Sequence, residues 1–425
     1  MSIKALKIVT IIGARPQFIK AAPVSRAIAE YNRLTPHSSP LTEVIIHTGQ
    51  HFDADMSDVF FKELNIPRPN YNLGINSASH GAMTGRMLEK IEEILIKEKP
   101  DWVLVYGDTN STLAGALAAV KLHIPIAHVE AGLRSFNREM PEEINRVLTD
   151  HCADILFCPT ETAVNNLRNE GFANIVNDGK IVESIDSSLP TPHSFHLTPH
   201  ASRLTPYASP LTLNVGDTMY DAVLQFSEIA QRQSTILEDL RIKPKEYLLA
   251  TVHRPYNTDI PENLESILSA FLEINEPIIF PLHPRTRKIL DANFSSPLTP
   301  NSSLFSPHTS LKMIPPVGYL DMLILEQNAR VILTDSGGMQ KEAYFFGVPC
   351  VTMRTETEWV ETVEAGWNIV TGTDREKIVE AVRSFKTDTP CPKLYGDGRA
   401  AEKIVAVLQL TYGEKHEIMD SATSI

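Results

Sequence analysis

Short apolar runs alternate with segments of helical period along most of the chain. In the first half, strands are predicted over 7–12, 44–48, 102–106, 125–129 and 155–158, and helices over 21–31, 81–97, 112–122 and 141–152. Strands without polar alternation are typical of sheets covered on both faces. Because strands that alternate with helices form parallel sheets, the pattern predicts a doubly wound α/β domain.

The alternation starts again in the second half. Strands are predicted over 247–252, 277–281, 331–334 and 350–353, and helices over 262–274, 320–328, 340–346, 375–385 and 400–410. A length of 425 residues agrees with two domains. We therefore predict two doubly wound domains, with the boundary between about 176 and 246.

Three tracts interrupt this pattern, at 32–42, 187–213 and 295–310, and they hold ten of the 29 prolines and five of the 14 histidines. A metal-binding array is one interpretation of the histidines, which are His37, His193, His196, His200 and His308. Their spacing follows a repeated Leu-Thr-Pro unit and matches no structural zinc site. We therefore predict exposed low-complexity loops, whose added length has little effect on loop-closure entropy.

Composition excludes several classes of protein. Hydrophobic residues make up 43% and charged residues 21% of the chain, and the net charge is −13, so nucleic acid and anionic membranes are not expected partners. No apolar run approaches the ~20 residues of a membrane span, and the N-terminus lacks a signal-peptide pattern. The four cysteines show neither Cys-x-x-Cys spacing nor the density of a disulfide scaffold. A cytoplasmic protein is predicted.

Polar clusters follow the strands, where parallel sheets bind ligands. After the first strand, Arg15 and Lys20 flank the start of a helix, and this arrangement suits an anionic ligand, although an ordinary turn with surface cations would look similar. The segment contains neither Gly-x-Gly-x-x-Gly nor a Walker motif, so neither a nicotinamide cofactor nor an ATP loop is indicated.

Three carboxylates occur at neighbouring strand ends or helix starts of the first half: Asp108, Glu130 and Glu142. Singly, each could cap a helix or complement a helix dipole. Together they predict an acid–base site. The first-turn position of Glu142 favours the ionised form, which a proton-abstracting base requires.

The second half places different chemistry at its strand ends. His253 and His283 each follow a strand, and Ser336, Gly337 and Gly338 lead into a helix as a second anion cradle. Glu342, one turn later, could accept hydrogen bonds from a ribose diol. Structural histidines, a generic turn and a solvated carboxylate are the alternatives. The combination predicts a diphosphate site opposed by carboxylates, with no evident metal site.

Seven motifs together resemble the non-hydrolysing UDP-N-acetylglucosamine 2-epimerases: GARPQFIK at 13–20, YGDTNS at 106–111, HVEAGLR at 128–134, MPEEINR at 140–146, HR at 253–254, TDSGG at 334–338 and QKE at 340–342. The resemblance implies a GT-B fold, in which two Rossmann-like doubly wound parallel-sheet domains face each other across a cleft. The expected domains are 1–178 with a returning helix at 397–415, a low-complexity insertion at 179–213, and a UDP-binding domain at 214–396. A homodimer without cofactor or catalytic metal is also implied.

The resemblance further implies a reaction and a set of roles. UDP-N-acetylglucosamine and UDP-N-acetylmannosamine would interconvert by anti elimination of UDP to 2-acetamidoglucal, followed by re-addition. Asp108, Glu130 and Glu142 would be the catalytic carboxylates, assisted by His253. The predicted contacts with the UDP-sugar are Arg15, Lys20, Arg134, His283, Met322 near uracil, Ser336, Gly337, Gly338 and Glu342 at the ribose. Which carboxylate acts on which face of the sugar is left open.

Some residues depart from the best-known members. Ala14 and Gln17 replace the Thr and Glu of Gly-Thr-Arg-Pro-Glu. Residues 355–361 read Thr-Glu-Thr-Glu-Trp-Val-Glu, where many members have Thr-Glu-Arg-Pro-Glu. These choices look more like the subgroup that acts on UDP-2,3-diacetamido-2,3-dideoxyglucuronate. The C6 carboxylate of that sugar would need a cation, for which Arg254, Arg285 and Arg287 are candidates. A GT-B glycosyltransferase and a non-catalytic nucleotide-sugar-binding protein are the rival hypotheses.

Overall fold

The computed structural model describes residues 5–35, 40–50, 63–64, 66–76, 79–176, 209–293, 310–386 and 390–422. The chain divides into two compact units, one formed by Met1–Ala222 with Lys393–Ile425 and the other by Val223–Pro392. Each unit is built on a parallel sheet with helical connections. The predicted class, two doubly wound α/β domains, is confirmed.

The first unit begins with β1 and ends with the C-terminal helix. Its strands are β1 Leu6–Ile12, β2 Leu41–His47, β3 Tyr71–Asn72, β4 Trp102–Tyr106, β5 Ile126–Val129, β6 Ile155–Cys158, β7 Ile175–Val176 and β8 Leu211–Asn214. Its helices are α1 Arg15–Leu34, α2 His80–Glu98, α3 Asn110–Lys121, α4 Pro141–Cys152, α5 Glu161–Asn169 and α15 Ala400–Ala422.

The strand order of this sheet is β3-β2-β1-β4-β5-β6-β8-β7, with every pair parallel. From β1 the chain proceeds outward to β2 and then returns to place β4 on the other side of β1. Ligands of doubly wound sheets bind where the order reverses in this way, beyond the carboxyl ends of the strands. A ligand site of the first unit is therefore expected in the segments after β1 and β4.

The second unit repeats the plan with fewer strands. Its strands are β9 Leu248–Thr251, β10 Ile278–Pro281, β11 Leu311–Ile314, β12 Val331–Thr334, β13 Cys350–Thr352 and β14 Asn368–Val370. Its helices are α7 Ile236–Leu240, α8 Pro255–Thr258, α9 Pro261–Ile274, α10 Pro284–Asn293, α11 Tyr319–Asn328, α12 Gly337–Phe345, α13 Val360–Glu364 and α14 Arg375–Ser384. Helix α6, Thr218–Gln233, contains the boundary between the units.

Its strand order is β11-β10-β9-β12-β13-β14, again wholly parallel, so the order reverses between β9 and β12. Alternate residues of β9 enter two different apolar clusters. Leu248 packs with residues of α9 and α14, whereas Leu249 packs with residues of α11 and α12. Two-sided burial explains why this strand is apolar from Leu248 to Ala250.

The segment before α6 corrects one bound of the predicted insertion. Ile175 pairs in parallel with Thr212, so β7 and β8 lie side by side. The predicted insertion, 179–213, extends too far. Leu211 and Leu213 are fully buried and pair with β6. Apolar side chains buried in this way belong to the core of the domain and not to an exposed insertion.

The boundaries also differ in detail. The second unit begins at Val223, after the predicted 214, because β8 and the start of α6 remain with the first sheet. The chain rejoins the first unit at Lys393, where α15 packs against α1. Residues 177–208 and 294–309, which hold most of the two longer tracts, lie outside the described residues, as does His37. Among the helices that are described, none has the length and apolar character to cross a membrane.

Candidate functional site

Gln17 organises the turn after β1. Its Oε1 accepts hydrogen bonds from the amides of Gly13, at 2.8 Å, and Ala14, at 3.0 Å. Its Nε2 donates to the carbonyl of Tyr106, at 2.9 Å, so the turn is tied to the end of β4. The amides of Gly13 and Ala14 are therefore not available to an anion, because a buried side chain engages both donors.

Lys20 and Glu130 form a buried ion pair beside this turn. Lys20 Nζ lies 2.5 Å from Glu130 Oε1, and both side chains are more than nine-tenths buried. Gly107 passes close to the pair, since a Cβ added there would lie 3.2 Å from Lys20 Nζ. Glu130 has a φ of +71°, a left-handed conformation that is strained for a residue with a side chain. Strain of this kind is commonly retained at functional sites.

Asp108, the residue after Gly107, is held by the second turn of α4. Arg146 Nη2 donates to Asp108 Oδ2 at 2.5 Å, and Asn145 Nδ2 donates to the Asp108 carbonyl at 2.9 Å. Arg146 Nη1 also donates to Glu143 Oε2 at 3.0 Å. None of these three α4 residues was singled out from the sequence, although all lie in the MPEEINR motif. A run of polar residues in the first turns of a core helix was the available signal.

Glu142 and Arg15 have more open surroundings. Glu142 lies half-buried in the first turn of α4, where the helix dipole favours a carboxylate. In the described part of the chain, Glu142 makes no ion pair, unlike Asp108 and Glu130. Arg15 is partly exposed at the first position of α1. The first unit thus brings together Lys20, Glu130 and Asp108 around Gly107.

Arg134 does not present its guanidinium for a ligand. Its side chain is 1% exposed, with Nε and Nη2 bound to the Glu170 carboxylate at 2.6 and 2.7 Å and Nη1 bound to Asp150 at 2.7 Å. We had predicted a contact with the UDP-sugar. That prediction is corrected, because an arginine this deeply buried needs carboxylate partners and finds them inside the unit.

The same network reaches the candidate site through His128. Asp150 Oδ1 lies 2.7 Å from His128 Nδ1, and His128 Nε2 lies 2.7 Å from the Gly107 carbonyl. Burial by itself would raise the pKa of Asp150, but the charges and hydrogen bonds of His128 and Arg134 outweigh it, so the pKa is lowered. The network therefore fixes the position of the Gly107 carbonyl, and with it the main chain that leads into Asp108.

In the second unit, Asp335 fixes the orientation of His253. The buried carboxylate accepts hydrogen bonds from the amides of His253, at 3.0 Å, and Arg254, at 2.9 Å, and lies 3.1 Å from His253 Nδ1. Burial would raise the pKa of Asp335, but the charge and hydrogen bonds of His253 lower it overall. Because Nδ1 faces Asp335, Nε2 is the ring nitrogen turned away from the carboxylate. Asp335 was not among the site residues predicted from the sequence, although it directly follows a central strand.

His283 lies next to His253. The two ring centroids are 5.6 Å apart and the rings are tilted by 34°. His283 is exposed, and its Nδ1 accepts a hydrogen bond from the amide of Arg285 at 3.2 Å. The structure thus brings together the two histidines that follow β9 and β10.

Ser336, Gly337 and Gly338 form the start of α12. The Ser336 hydroxyl caps the helix through the amide of Met339, at 3.5 Å. First-turn amides of a helix have no partner within the helix, so those of Gly337 and Gly338 can bind an anion. A Cβ added to Gly337 would lie 2.4 Å from Glu358 Oε1, so a larger residue there would displace the Glu358 side chain or the turn itself.

Glu358 and its neighbours line this cradle from inside the unit. Arg354 Nη1 pairs with Glu358 Oε2 at 2.9 Å and balances its charge. The ammonium group of buried Lys341 lies 4.2 Å from the centroid of the Trp359 ring, a cation–π contact. Trp359, noted above as a departure, therefore belongs to the support of the cradle.

Glu342 and Met322 are both buried. Glu342 lies on α12 in the turn after the cradle. Met322 packs in the apolar cluster with Ile332 and Met339, so its predicted contact with uracil is not supported. A flexible thioether on a core-facing position of α11 fills that cluster. Within the described ranges, no group of three or more His, Cys, Asp or Glu side chains is arranged to hold a metal ion.

The chain is similar to proteins of one family. The family model described as UDP-N-acetylglucosamine 2-epimerase matches residues 34–206 and 208–409. A UDP-N-acetylglucosamine 2-epimerase homolog of Methanococcus maripaludis is 54% identical over 409 residues, covering 95% of this chain and 99% of the relative. The UDP-2,3-diacetamido-2,3-dideoxy-D-glucuronate 2-epimerase of Pseudomonas aeruginosa is 48% identical over 408 residues, with coverage of 95% and 99%.

A solved structure shows the same likeness. The UDP-GlcNAc 2-epimerase of Methanocaldococcus jannaschii, in complex with UDP-GlcNAc and UDP, has a TM-score of 0.77 and 42% sequence identity. The match covers 96% of this chain and 99% of that one.

Proposed function

The chain belongs to the UDP-N-acetylglucosamine 2-epimerase family, and from this we propose that it is an isomerase that inverts C2 of a UDP-linked N-acetylated sugar. The membership confirms the family that the seven motifs predicted. The observation that carries the proposal is the group formed by Asp108 and the Lys20–Glu130 pair around Gly107, at the strand-order reversal of the first unit.

The proposed reaction assigns different tasks to the two units. A carboxylate of the first unit removes the C2 proton while UDP leaves C1, and UDP adds again after protonation of 2-acetamidoglucal on the opposite face. No carbonyl is adjacent to C2 to acidify its proton, so stabilisation of the leaving diphosphate carries much of the barrier. The amides of Gly337 and Gly338, together with Arg15 and His253, serve that stabilisation, and Glu342 binds the ribose.

We propose UDP-N-acetylglucosamine as the substrate, with UDP-2,3-diacetamido-2,3-dideoxyglucuronate as the second candidate. The 48% identity to the Pseudomonas aeruginosa relative favours including the uronate. Among the arginines suggested for its C6 carboxylate, Arg254 donates from Nε to the Asp335 carbonyl at 3.1 Å, beside His253, whereas Arg285 pairs with Asp259. Arg254 is thus the better placed of these two.

Incubation of the purified chain with each UDP-sugar in deuterated water, without an acceptor, tests the proposal. Epimerisation with deuterium at C2 is the expected result. UDP release that depends on an added acceptor would instead favour a GT-B glycosyltransferase. Binding without exchange would identify a nucleotide-sugar-binding protein, and the ratio of the two initial rates ranks the two substrates.

Replacing Gly337 with alanine is expected to weaken UDP binding at least tenfold. The added methyl would meet Glu358 Oε1, and because Glu358 is itself paired with Arg354, we expect part of the shift to fall on the cradle. Isothermal titration with UDP measures the change. Gly85→Ala is the matched control, because a Cβ there meets nothing within 4 Å, and its affinity should match that of the wild-type chain. Unchanged affinity in folded Gly337→Ala would show that UDP does not use this cradle.

We further propose that the chain acts as a homodimer in the cytoplasm. The family resemblance supports the dimer, and the four free cysteines are compatible with a reducing compartment. Light scattering coupled to size-exclusion chromatography measures the mass. A mass of one chain at assay concentration would contradict the dimer.

A further inference from the structure

Arg146 is almost completely enclosed, yet its guanidinium ends at a candidate catalytic carboxylate. The side chain is 2% exposed and bridges two acids, Asp108 Oδ2 at 2.5 Å and Glu143 Oε2 at 3.0 Å. The Asp108 side chain is 26% exposed. One end of the bridge is therefore in the interior, and the other reaches the surface where a substrate can arrive.

Glu143 anchors the bridge to the loop before α4. Its carboxylate accepts hydrogen bonds from the Ser135 amide, at 2.9 Å, the Ser135 hydroxyl, at 3.0 Å, and the Phe136 amide, at 3.0 Å. Because three donors hold the Glu143 carboxylate, it stays in place when the Asp108 side chain rotates. The guanidinium is thus held in one place by Glu143, and its planar donor arrangement fixes the direction in which Nη2 points.

The main chain of Asp108 is fixed independently. Asn145 holds its carbonyl, and the preceding Gly107 is held through its amide by the Val129 carbonyl, at 2.9 Å, and through its own carbonyl by His128. Only the side-chain torsions of Asp108 remain, and the contact with Arg146 selects among them. Orientation of this kind matters because a misplacement of about 1 Å can lower a rate 10²-fold.

We propose that Arg146 is a positioning residue of the epimerase: it holds the Asp108 carboxylate in the orientation that proton transfer at C2 requires. The inference rests on the proposed function. Glu143 holds the Arg146 guanidinium in place, and Asp108 is the group through which Arg146 acts on the substrate.

A double-mutant cycle on kcat tests the proposal, with Arg146→Met and Asp108→Asn made singly and together. In the wild-type background Arg146→Met should lower kcat about 10²-fold, with the KM for the UDP-sugar within about threefold. In the Asp108→Asn background the same change should have almost no effect, because the group to be oriented is already lost. Single-turnover incorporation of deuterium at C2 measures the slow variants.

Three controls make the cycle decisive. Arg138→Met removes an exposed arginine from the loop before α4 and should leave kcat unchanged. Arg146→Lys replaces Arg146→Met in the cycle if the methionine variant does not fold, since an ammonium group retains charge but cannot reproduce the bridge. The wild-type chain must epimerise its substrate, because failure there refutes the proposed function and not the role of Arg146.

The criterion is the difference between the two backgrounds. A loss of kcat that is more than threefold larger in the wild-type background supports the positioning role. Losses that agree within threefold would overturn it, because a merely structural arginine would affect both backgrounds alike.

Discussion

Replacing Glu142 with glutamine is expected to lower kcat about 10³-fold, while the affinity for UDP stays within about threefold. General acid–base groups contribute about 10²–10⁴ to rates, and glutamine preserves the shape but transfers no proton at neutral pH. In the described part of the chain Glu142 makes no ion pair, so its protonation can change without breaking one.

Deuterium incorporation at C2 and UDP titration, measured on the same preparation, separate chemistry from binding. Glu139→Gln is the matched control, because Glu139 is exposed three residues earlier and should retain wild-type turnover. If folded Glu142→Gln retained more than a tenth of the wild-type kcat, Glu142 would not be a proton-transfer group.

Replacing Asp150 with alanine is expected to lower the free energy of unfolding by about 3–5 kcal/mol. The carboxylate lies between Arg134 and His128 with its side chain fully buried, and breaking a buried pair leaves uncompensated charge. The urea midpoint, followed by circular dichroism, measures the change. Glu89→Ala, on an exposed position of α2, should change stability by less than about 0.5 kcal/mol. A similar small change for Asp150→Ala would contradict the account.

The difference in free energy of unfolding between the wild-type chain and Asp150→Ala should depend on pH with a definite sign. Because the pKa of Asp150 is lowered in the folded state, the unfolded state binds more protons at acid pH. The stabilisation is complete above the unfolded pKa, about 3.9, and is lost as the pH falls through the folded pKa. The wild-type advantage over Asp150→Ala should therefore shrink below about pH 4. An advantage that grew on acidification would contradict the lowered pKa.

Much of the fold was predictable because strands buried on both faces of a sheet appear in the sequence as short continuous apolar runs. The predicted strands 102–106, 155–158 and 331–334 and the helix 141–152 agree with the structure to the residue. Helix α1 begins at Arg15, before the predicted residue 21, since the polar start of a helix lacks the apolar period by which the body was recognised. Strand β8 was missed because its first three residues, 211–213, were counted as part of a tract of unrelated composition.

The sequence by itself determined the fold class, the family and the strand ends at which the polar residues gather, because these depend on local period and on motif chemistry. Only the tertiary structure decided which of those residues are available. Gln17 occupies the amides of Gly13 and Ala14, Arg134 is held by interior carboxylates, and Met322 faces the core. Whether a polar side chain faces a ligand or another side chain depends on partners distant in the chain, and no local pattern records them.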